Sequence, residues 1–301
     1  MQQIFPAPAA GQEIGADAIG ALGRLYAYPG AAERPWLRAN MVASADGAAT
    51  ADGKSGGLSG RADRRVFSVL RSLADVILVG AGTARAERYR PVRPAEVWPQ
   101  LRAGQAPAPP IAVLTRGLDL DPGDGLLVAA PGLARTIVLT TEAVGAGRVA
   151  AASAHADVIV AGRQTVTAAA AIAALAGRGY RRILVEGGPG LLAQIIAGGL
   201  LDELCLTYSP VLAGGSAGRI VSPLAQQDQG TQQDQGTQQD QGTQHDQGTG
   251  PQASLPGPQA SLPTPPGARP GPQAGPLAGL RLAHVLEAEG YLLCRYLAVR
   301  R

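Results

Sequence analysis

Short apolar runs typical of β-strands alternate along this chain with segments of helical periodicity, and this alternation limits the folds available to it. The strand-like runs are Trp36–Ala43, Val76–Val79, Ile111–Leu114, Thr136–Leu139, Val158–Val160, Arg182–Val185 and Leu204–Tyr208. Between residues 61 and 74, apolar side chains recur at i, i+3, i+4 and i+7, on one face of a helix. Such alternation predicts an α/β fold with a mostly parallel sheet covered by helices on both faces.

The end of the chain has a different pattern. Two apolar runs, Leu280–Leu286 and Tyr291–Leu297, flank a short turn that contains Gly290. This spacing predicts a C-terminal antiparallel hairpin that returns to the main sheet. Two further helices are predicted at 164–176 and 191–197, which are rich in Ala and Leu.

A low-complexity segment separates this hairpin from the rest. Between residues 226 and 249 the hexapeptide QQDQGT recurs four times, with one change in the last copy, and GPQASLP then occurs twice. Burial of so few apolar residues cannot offset the conformational entropy that this segment would lose on ordering. We therefore predict a disordered insertion at 225–276, a reductase domain at 34–224 plus 277–301 and an N-terminal extension at 1–33. A Gln-rich tract that binds a partner is the alternative for the insertion.

Composition narrows the functional classes. The formal charge is +3 over 301 residues, with no basic cluster interleaved with aromatic side chains, so nucleic-acid binding has weak support. Cys205 and Cys294 lie in apolar runs and form neither a disulfide framework nor a metal cluster, so we expect no metal. There is no signal-like N-terminus and no run of about 18 apolar residues. We expect a cytoplasmic protein without a membrane span.

Two glycine-containing motifs follow predicted strands. Gly80, Gly82 and Thr83 form either a tight packing turn or a cofactor loop. The second motif is Glu186-Gly187-Gly188-Pro189-Gly190-Leu191, which brings a carboxylate and then a helix N-terminus to a strand end. A helix N-terminus preceded by glycine suits a pyrophosphate, whereas Glu186 alone could be only a partner of the helix dipole.

In order and spacing, these motifs resemble the C-terminal reductase domain of bifunctional riboflavin biosynthesis deaminase–reductases and its stand-alone relatives. The matching segments are Ser44–Gly47, Leu70–Asp75, Ile77–Thr83, Leu184–Pro189 and Asp202–Leu204. The resemblance implies a dihydrofolate-reductase-like, three-layer α/β/α fold with a mixed, mostly parallel sheet, NADPH as hydride donor and a homodimer. We expect this chain by itself not to act as a deaminase, because no H-x-E in it is followed by P-C-x-x-C.

The resemblance also implies roles for individual residues. It places Asn40, Ser55, Arg71 and Glu186 at the pyrimidine substrate, with Glu186 and Asp46 as candidate catalytic residues. The implied NADPH-site residues are Val42, Gly80, Gly82, Thr83, Glu87, Gly187, Gly188, Pro189, Gly190 and Leu191. Our candidate for the 2′-phosphate of NADPH is Arg163, because it follows a predicted strand end and Arg suits phosphate.

Two positions depart from the family pattern. Asn40 stands where the family usually has Lys, and Glu87 where Asp is usual. The main hypothesis is a 5-amino-6-(5-phosphoribosylamino)uracil reductase-like enzyme of riboflavin biosynthesis. Because of Asn40, a dihydrofolate or pterin reductase remains an alternative, and a non-catalytic dinucleotide-binding protein is the third.

The composition of the insertion yields a first prediction. Deletion of residues 226–276, with the ends joined by a short Gly/Ser linker, should leave the melting temperature and the reductase activity close to those of the parent. The reason is that a segment with so few apolar residues contributes little packing. Thermal unfolding and NADPH oxidation measured on both proteins test this. A large loss of either would show that the segment is structural or regulatory.

Overall fold

The computed structural model describes residues 1–6, 18–30, 34–120, 125–127, 134–223 and 279–299. The chain divides into one unit of Met1–Leu224 with Gly275–Arg301 and a second of Ala225–Ala274. The insertion predicted at 225–276 includes this second unit and lies outside the described residues. None of the helices in the described part is long and apolar enough to cross a membrane.

Ten strands in the described residues form one sheet. In chain order, β1 to β10 are Gln2–Phe5, Trp36–Ser44, Val76–Gly80, Ile111–Leu114, Ile137–Thr140, Asp157–Val160, Arg182–Val185, Glu203–Ser209, Leu280–Ala288 and Tyr291–Ala298. Their order across the sheet is β1-β9-β10-β8-β2-β7-β3-β4-β5-β6. All pairs from β8 to β6 are parallel, and β10 pairs antiparallel with β8 and β9. The predicted mixed, mostly parallel sheet with its C-terminal hairpin is confirmed.

Helices cover both faces of the sheet, which confirms the three-layer arrangement. Helices α1 to α6 are Ala18–Leu25, Arg61–Leu73, Ala81–Ala86, Ala146–Ser153, Ala168–Gly177 and Pro189–Ala197. On one face, α1 and α2 contribute Leu22, Val69 and Leu70 to an apolar core with Ile77 of β3. On the other, α5 and α6 pack over the strands, and Leu78 of β3 lies in this second core.

The helix ends differ from the predicted ones for local reasons. Helix α5 begins at Ala168, four residues after the predicted start, because the Thr167 side chain accepts a hydrogen bond from the Ala170 amide and caps it. Helix α6 begins two residues early, at Pro189, since the fixed φ of proline and its lack of an amide hydrogen suit a first helical position.

The N-terminal residues belong to the same unit as residues 34–224. Strand β1 pairs antiparallel with β9, and Leu22 and Tyr26 are almost fully buried in the core beneath α2. The domain boundary predicted at residue 34 thus falls inside this unit. The reason is the periodic apolar face of α1, which is too short to stand out in the sequence.

A buried ionic network joins α1 to the sheet. The Arg38 side chain is fully buried and donates to Glu203 and to the Tyr26 carbonyl, with 2.7 Å between Arg38 Nη2 and that oxygen. Arg295 of β10 donates to both oxygens of Glu203 and to the Leu25 carbonyl. The two arginines therefore cap the free carbonyls at the C-terminus of α1. This explains the Glu of the Asp202–Leu204 motif as a structural residue.

The same region yields a prediction about pH. His284 is buried against Tyr26, with 4.8 Å between ring centroids, and burial and then the Arg295 charge lower its pKa to about 4. The unfolded chain takes up this proton near pH 6.5, whereas the folded chain does so only near pH 4. We expect the free energy of unfolding to fall by about 3 kcal/mol across this window as the pH is lowered.

The matched pair of variants is His284→Gln and His155→Gln, since His155 is exposed. Denaturant unfolding at a series of pH values should show a flatter pH dependence for His284→Gln, whatever its stability at pH 7, and an unchanged one for His155→Gln. An unchanged slope in His284→Gln would assign the acid sensitivity to other groups.

Candidate active site

A cavity of about 740 Å³ lies beside the C-terminal ends of the central parallel strands. Ligands of open α/β sheets bind at this edge, because the loops that leave the strands meet there. The lining comes from β2, the turn at 53–56, one face of α2, the end of α3 and the loop after β7. It includes Asn40, Met41, Val42, Ser55, Asp63, Arg64, Phe67, Arg71, Thr83, Glu87, Arg88, Tyr89, Arg90, Glu96, Glu186, Gly187, Gly188, Pro189 and Ile220.

Glu186 is the most firmly held carboxylate of the cavity. It directly follows β7, whose last three residues are fully buried, and its own side chain is only 2% exposed. Arg71 donates to both carboxylate oxygens, at 2.8 Å from Nε to Oε1 and 2.7 Å from Nη2 to Oε2. The Tyr89 hydroxyl donates to Oε2 at 2.8 Å. Three donors thus fix the carboxylate and leave further acceptor positions on Oε1.

The charges of this cluster are maintained by its own geometry. Burial acts to lower the pKa of Arg71, but the charge and hydrogen bonds of Glu186, together with smaller contributions from Tyr89 and Glu96, raise this pKa above its usual value. Burial and then the Glu186 charge raise the pKa of Tyr89 well above its usual range, so Tyr89 stays a neutral donor. The Arg71 guanidinium also lies over the Phe67 ring, at 4.2 Å from its centroid.

The structure separates two interpretations of Glu186. Helix α6 begins at Pro189 and has no acidic residue in its first turn, so Glu186 lies outside the helix. Its carboxylate bonds to Arg71 and Tyr89 instead. Arg71 is likewise not a solvated charge at the end of a helix. Its side chain is only 15% exposed and forms a bidentate ion pair with Glu186.

The two glycine motifs meet beside this cluster. The Gly80 amide donates to the Gly187 carbonyl at 2.9 Å, which joins the end of β3 to the loop after β7. Gly187 has a φ of +101°, and a Cβ on Gly188 would lie 2.2 Å from Thr83 Oγ1. Only glycine fits this close approach. Thr83, Gly187, Gly188 and Pro189 line the cavity, whereas Gly80, Gly82, Gly190 and Leu191 do not.

Most other predicted site residues also line the cavity. Asn40, Val42, Ser55 and Glu87 do so. The Glu87 carboxylate accepts a hydrogen bond from the Ser55 amide at 2.8 Å, and this bond connects the end of α3 to the turn at 55–58. Glu87 thus shapes the wall of the cavity as well as lining it.

Asp46 and Arg163 lie outside the cavity lining. The Asp46 carboxylate accepts hydrogen bonds from the Ser44 hydroxyl and from the Ala213 and Gly214 amides, and these bonds lower its pKa to about 2. It anchors the loop after β8. Arg163 follows the edge strand β6 and is 90% exposed, with its Nε 3.9 Å from Glu142 Oε2.

Sequence reasoning missed several lining residues, among them Asp63, Phe67, Tyr89, Arg64 and Arg88. Asp63 and Phe67 precede Arg71 at steps of four on α2, so all three share a face, but the apolar periodicity draws attention to the opposite, core-facing side. Tyr89 carries no local signal, since its role depends on the packing of α3 against the loop after β7.

The cavity fits a nicotinamide dinucleotide. No side chain caps the first turn of α6, whose N-cap is Gly188. The Leu191 and Leu192 amides donate to the Gly188 carbonyl, and the Gly190 amide of that turn is left for a pyrophosphate. The Thr83 hydroxyl and the backbone of Gly187 and Gly188 are adjacent, and the volume is in the usual range for cofactor sites. When bound, the cofactor would supply the hydride, and the protein would supply position and charge.

Comparisons with known proteins identify relatives of this chain. Two archaeal relatives are named 2,5-diamino-6-ribosylamino-4(3H)-pyrimidinone 5′-phosphate reductase. The one from Archaeoglobus fulgidus is 30% identical over 184 residues, which are 60% of this chain and 83% of that protein. The one from Methanothermobacter thermautotrophicus is 31% identical over 191 residues, 62% and 82% of the two chains.

A solved structure and a family model complete the comparison. The crystal structure of a pyrimidine reductase-like protein from Corynebacterium diphtheriae matches the fold with a TM-score of 0.64 at 22% identity, over 89% of this chain and 93% of that one. The model of the RibD C-terminal domain matches residues 35–244. The chain therefore belongs to the RibD C-terminal domain family.

Proposed function

We propose that this protein is an NADPH-dependent reductase of a phosphoribosylaminopyrimidine in riboflavin biosynthesis. The observation that carries the proposal is the Arg71–Glu186–Tyr89 cluster, which faces the same cavity as Thr83 and the Gly187-Gly188 loop. A fixed carboxylate beside a dinucleotide site suits hydride transfer to a sugar carbon. The names of the two archaeal relatives support the substrate class.

The pyrimidine itself could be the 2,5-diamino compound of those names or the corresponding 5-amino-uracil. The two compounds differ at ring carbon 2. They share the phosphorylated ribosylamino group, whose sugar carbon C1′ is reduced. In both, a hydride is added to C1′ of the ring-opened sugar and a proton to the attached nitrogen, which gives the ribityl product. A comparison of turnover with the two compounds decides which one is preferred.

Within this mechanism, the residues of the chain position the sugar. Glu186 Oε1 accepts one hydrogen bond from Arg71 and has an acceptor position left for a ribose hydroxyl. Tyr89 is a poor acid because its pKa is raised well above the usual range by burial and by Glu186. The contribution of the cluster is orientation, which can supply a large part of a rate enhancement.

Two further features belong to the proposal. Exposed apolar side chains lie on one face of the antiparallel strands, where Tyr208 and Leu292 are paired across β8 and β10, and such a face suits a homodimer. Cys205 and Cys294 are both free and buried, which accords with a reducing cytoplasm.

A second candidate function rests on Asn40, which lines the cavity without the positive charge of the usual lysine. It is the reduction of dihydrofolate or a related pterin. NADPH oxidation should be assayed in parallel with the pyrimidine phosphate and with dihydrofolate. Turnover of dihydrofolate alone would replace the first function by the second, and NADPH binding without oxidation of either would leave a non-catalytic binding protein.

The cluster yields a prediction for Glu186→Gln. The amide keeps the shape and one acceptor but removes the charge that pairs with Arg71. We expect normal folding, NADPH binding within a few-fold of the parent and a loss of turnover on the order of 10²-fold, the size typical of a positioned polar group. Thermal unfolding, cofactor fluorescence titration and steady-state kinetics measure the three quantities.

The control is Asp157→Asn, which removes a carboxylate from an exposed ion pair with Arg135. This substitution should change neither thermal stability nor NADPH affinity nor turnover. If Glu186→Gln lowers stability but turns over normally, Glu186 is a structural residue and leaves the site.

A separate prediction concerns cofactor choice. If Arg163 binds the 2′-phosphate of NADPH, Arg163→Ala should reduce the preference for NADPH over NADH, because the phosphate loses its cation. Arg148→Ala is the matched control, since Arg148 is also exposed and weakly paired with an acid. The ratio of kcat/KM for NADPH and NADH is measured for each protein. An unchanged ratio in Arg163→Ala would assign 2′-phosphate recognition to other residues.

A further inference from the structure

The substrate proposed above carries a phosphate, and Arg71 is poorly placed to bind it. Two of its nitrogens donate to the two oxygens of Glu186, and its side chain is mostly buried against Phe67. Its charge is therefore neutralised inside the protein. A phosphate dianion needs cations that are not already paired with a carboxylate.

The cavity lining contains such cations. Its acidic residues are each engaged, Asp63 by Ser59, Glu87 by the Ser55 amide and Glu96 by Arg93. Arg64 and Arg88 line the cavity, are exposed and form no ion pair with any of the described residues. Arg64 makes one hydrogen bond to the backbone carbonyl of Ser59, which leaves most of its donors available.

Arg90 also lines the cavity but is not part of the inference. It packs against Gly125, the first residue of the short described segment 125–127, which lies between two stretches outside the description.

The backbone of Arg88 is a second, independent observation. Its φ is +53°, directly after the end of α3, and the Tyr89 amide donates to the Ala84 carbonyl across it. This position at a helix C-terminus usually holds glycine, because the left-handed conformation is unfavourable with a Cβ. Residues kept in that conformation cluster at functional sites. Here the turn places Arg88 on the cavity wall and the next residue, Tyr89, against Glu186.

We infer that Arg64 and Arg88 bind the phosphate of the pyrimidine substrate, and this inference rests on the proposed function. Arg64 shares a face of α2 with Arg71, seven residues further on, and Arg88 adjoins Tyr89. Both therefore lie with the groups that face the sugar. Guanidinium groups from two elements can each donate in pairs to phosphate oxygens.

The test uses Arg88→Gly, Arg64→Gln and the double variant. Glycine suits the backbone at position 88, so Arg88→Gly should fold at least as well as the parent. Arg65→Gln is the matched control, since Arg65 is the exposed neighbour of Arg64 on α2 but does not line the cavity. Steady-state kinetics are measured with the pyrimidine phosphate and with the same compound after removal of its phosphate.

Each substitution should raise KM for the phosphorylated compound by about 10-fold to 100-fold, the effect of losing a charge-assisted hydrogen bond. KM for the dephosphorylated compound and for NADPH should stay within about two-fold of the parent. Arg65→Gln should change none of these values. Any one of three results would overturn the inference. KM rises for NADPH alone, it rises equally for both pyrimidines, or it does not exceed the value measured for Arg65→Gln.

Calorimetric titration with ribose 5-phosphate separates this inference from the proposed function. If the parent does not reduce the pyrimidine, the proposed function fails. Ribose 5-phosphate binding that is present in the parent and lost in the double variant would still support the two arginines as a phosphate site. Binding that is absent in the parent, or equal in the two proteins, would refute that site.

Discussion

The geometry of the site depends on the burial of β7 between two parallel neighbours. Strands β2 and β3 pair with it on either side, and Ile183, Leu184 and Val185 are fully buried. A strand paired on both edges and covered on both faces cannot shift without breaking backbone hydrogen bonds that the interior cannot replace. The sheet therefore fixes Glu186, the next residue, and the groups of α2 and α3 are arranged around it.

Two buried carboxylates, Glu203 and Glu186, each form ion pairs with arginine but have different roles. Glu203 is paired with Arg38 and Arg295 and joins the parallel part of the sheet to the hairpin and to α1. Glu186 is paired with Arg71 but borders a cavity. Removing one partner of a buried ion pair leaves the other charge buried and uncompensated, which is costly. Both pairs therefore hold the elements that carry them in a fixed arrangement. Only Glu186 has acceptor positions that a ligand can reach.

Local patterns account for most of the architecture. Apolar runs and helical spacing predicted the strands around Ile183 and Ile77 and the helix at 61–74 to within one or two residues. The short helix α1 was not predicted, and α5 begins later than its Ala-rich pattern suggested because Thr167 caps it. Predictions fail at such ends because one capping hydrogen bond outweighs a weak propensity.

The sequence by itself determined the mixed sheet, the terminal hairpin and the two glycine loops, since these depend on periodicity and on backbone conformations that few residues adopt. Its resemblance to a known family also predicted Glu186, Arg71 and Thr83 as site residues, and all three line the cavity. Only the tertiary structure decided that Arg71 and Glu186 neutralise each other, that Tyr89 completes their cluster and that Asp46 anchors a loop. Each of these contacts joins residues distant in the chain, and side chains brought together by packing leave no periodic signal.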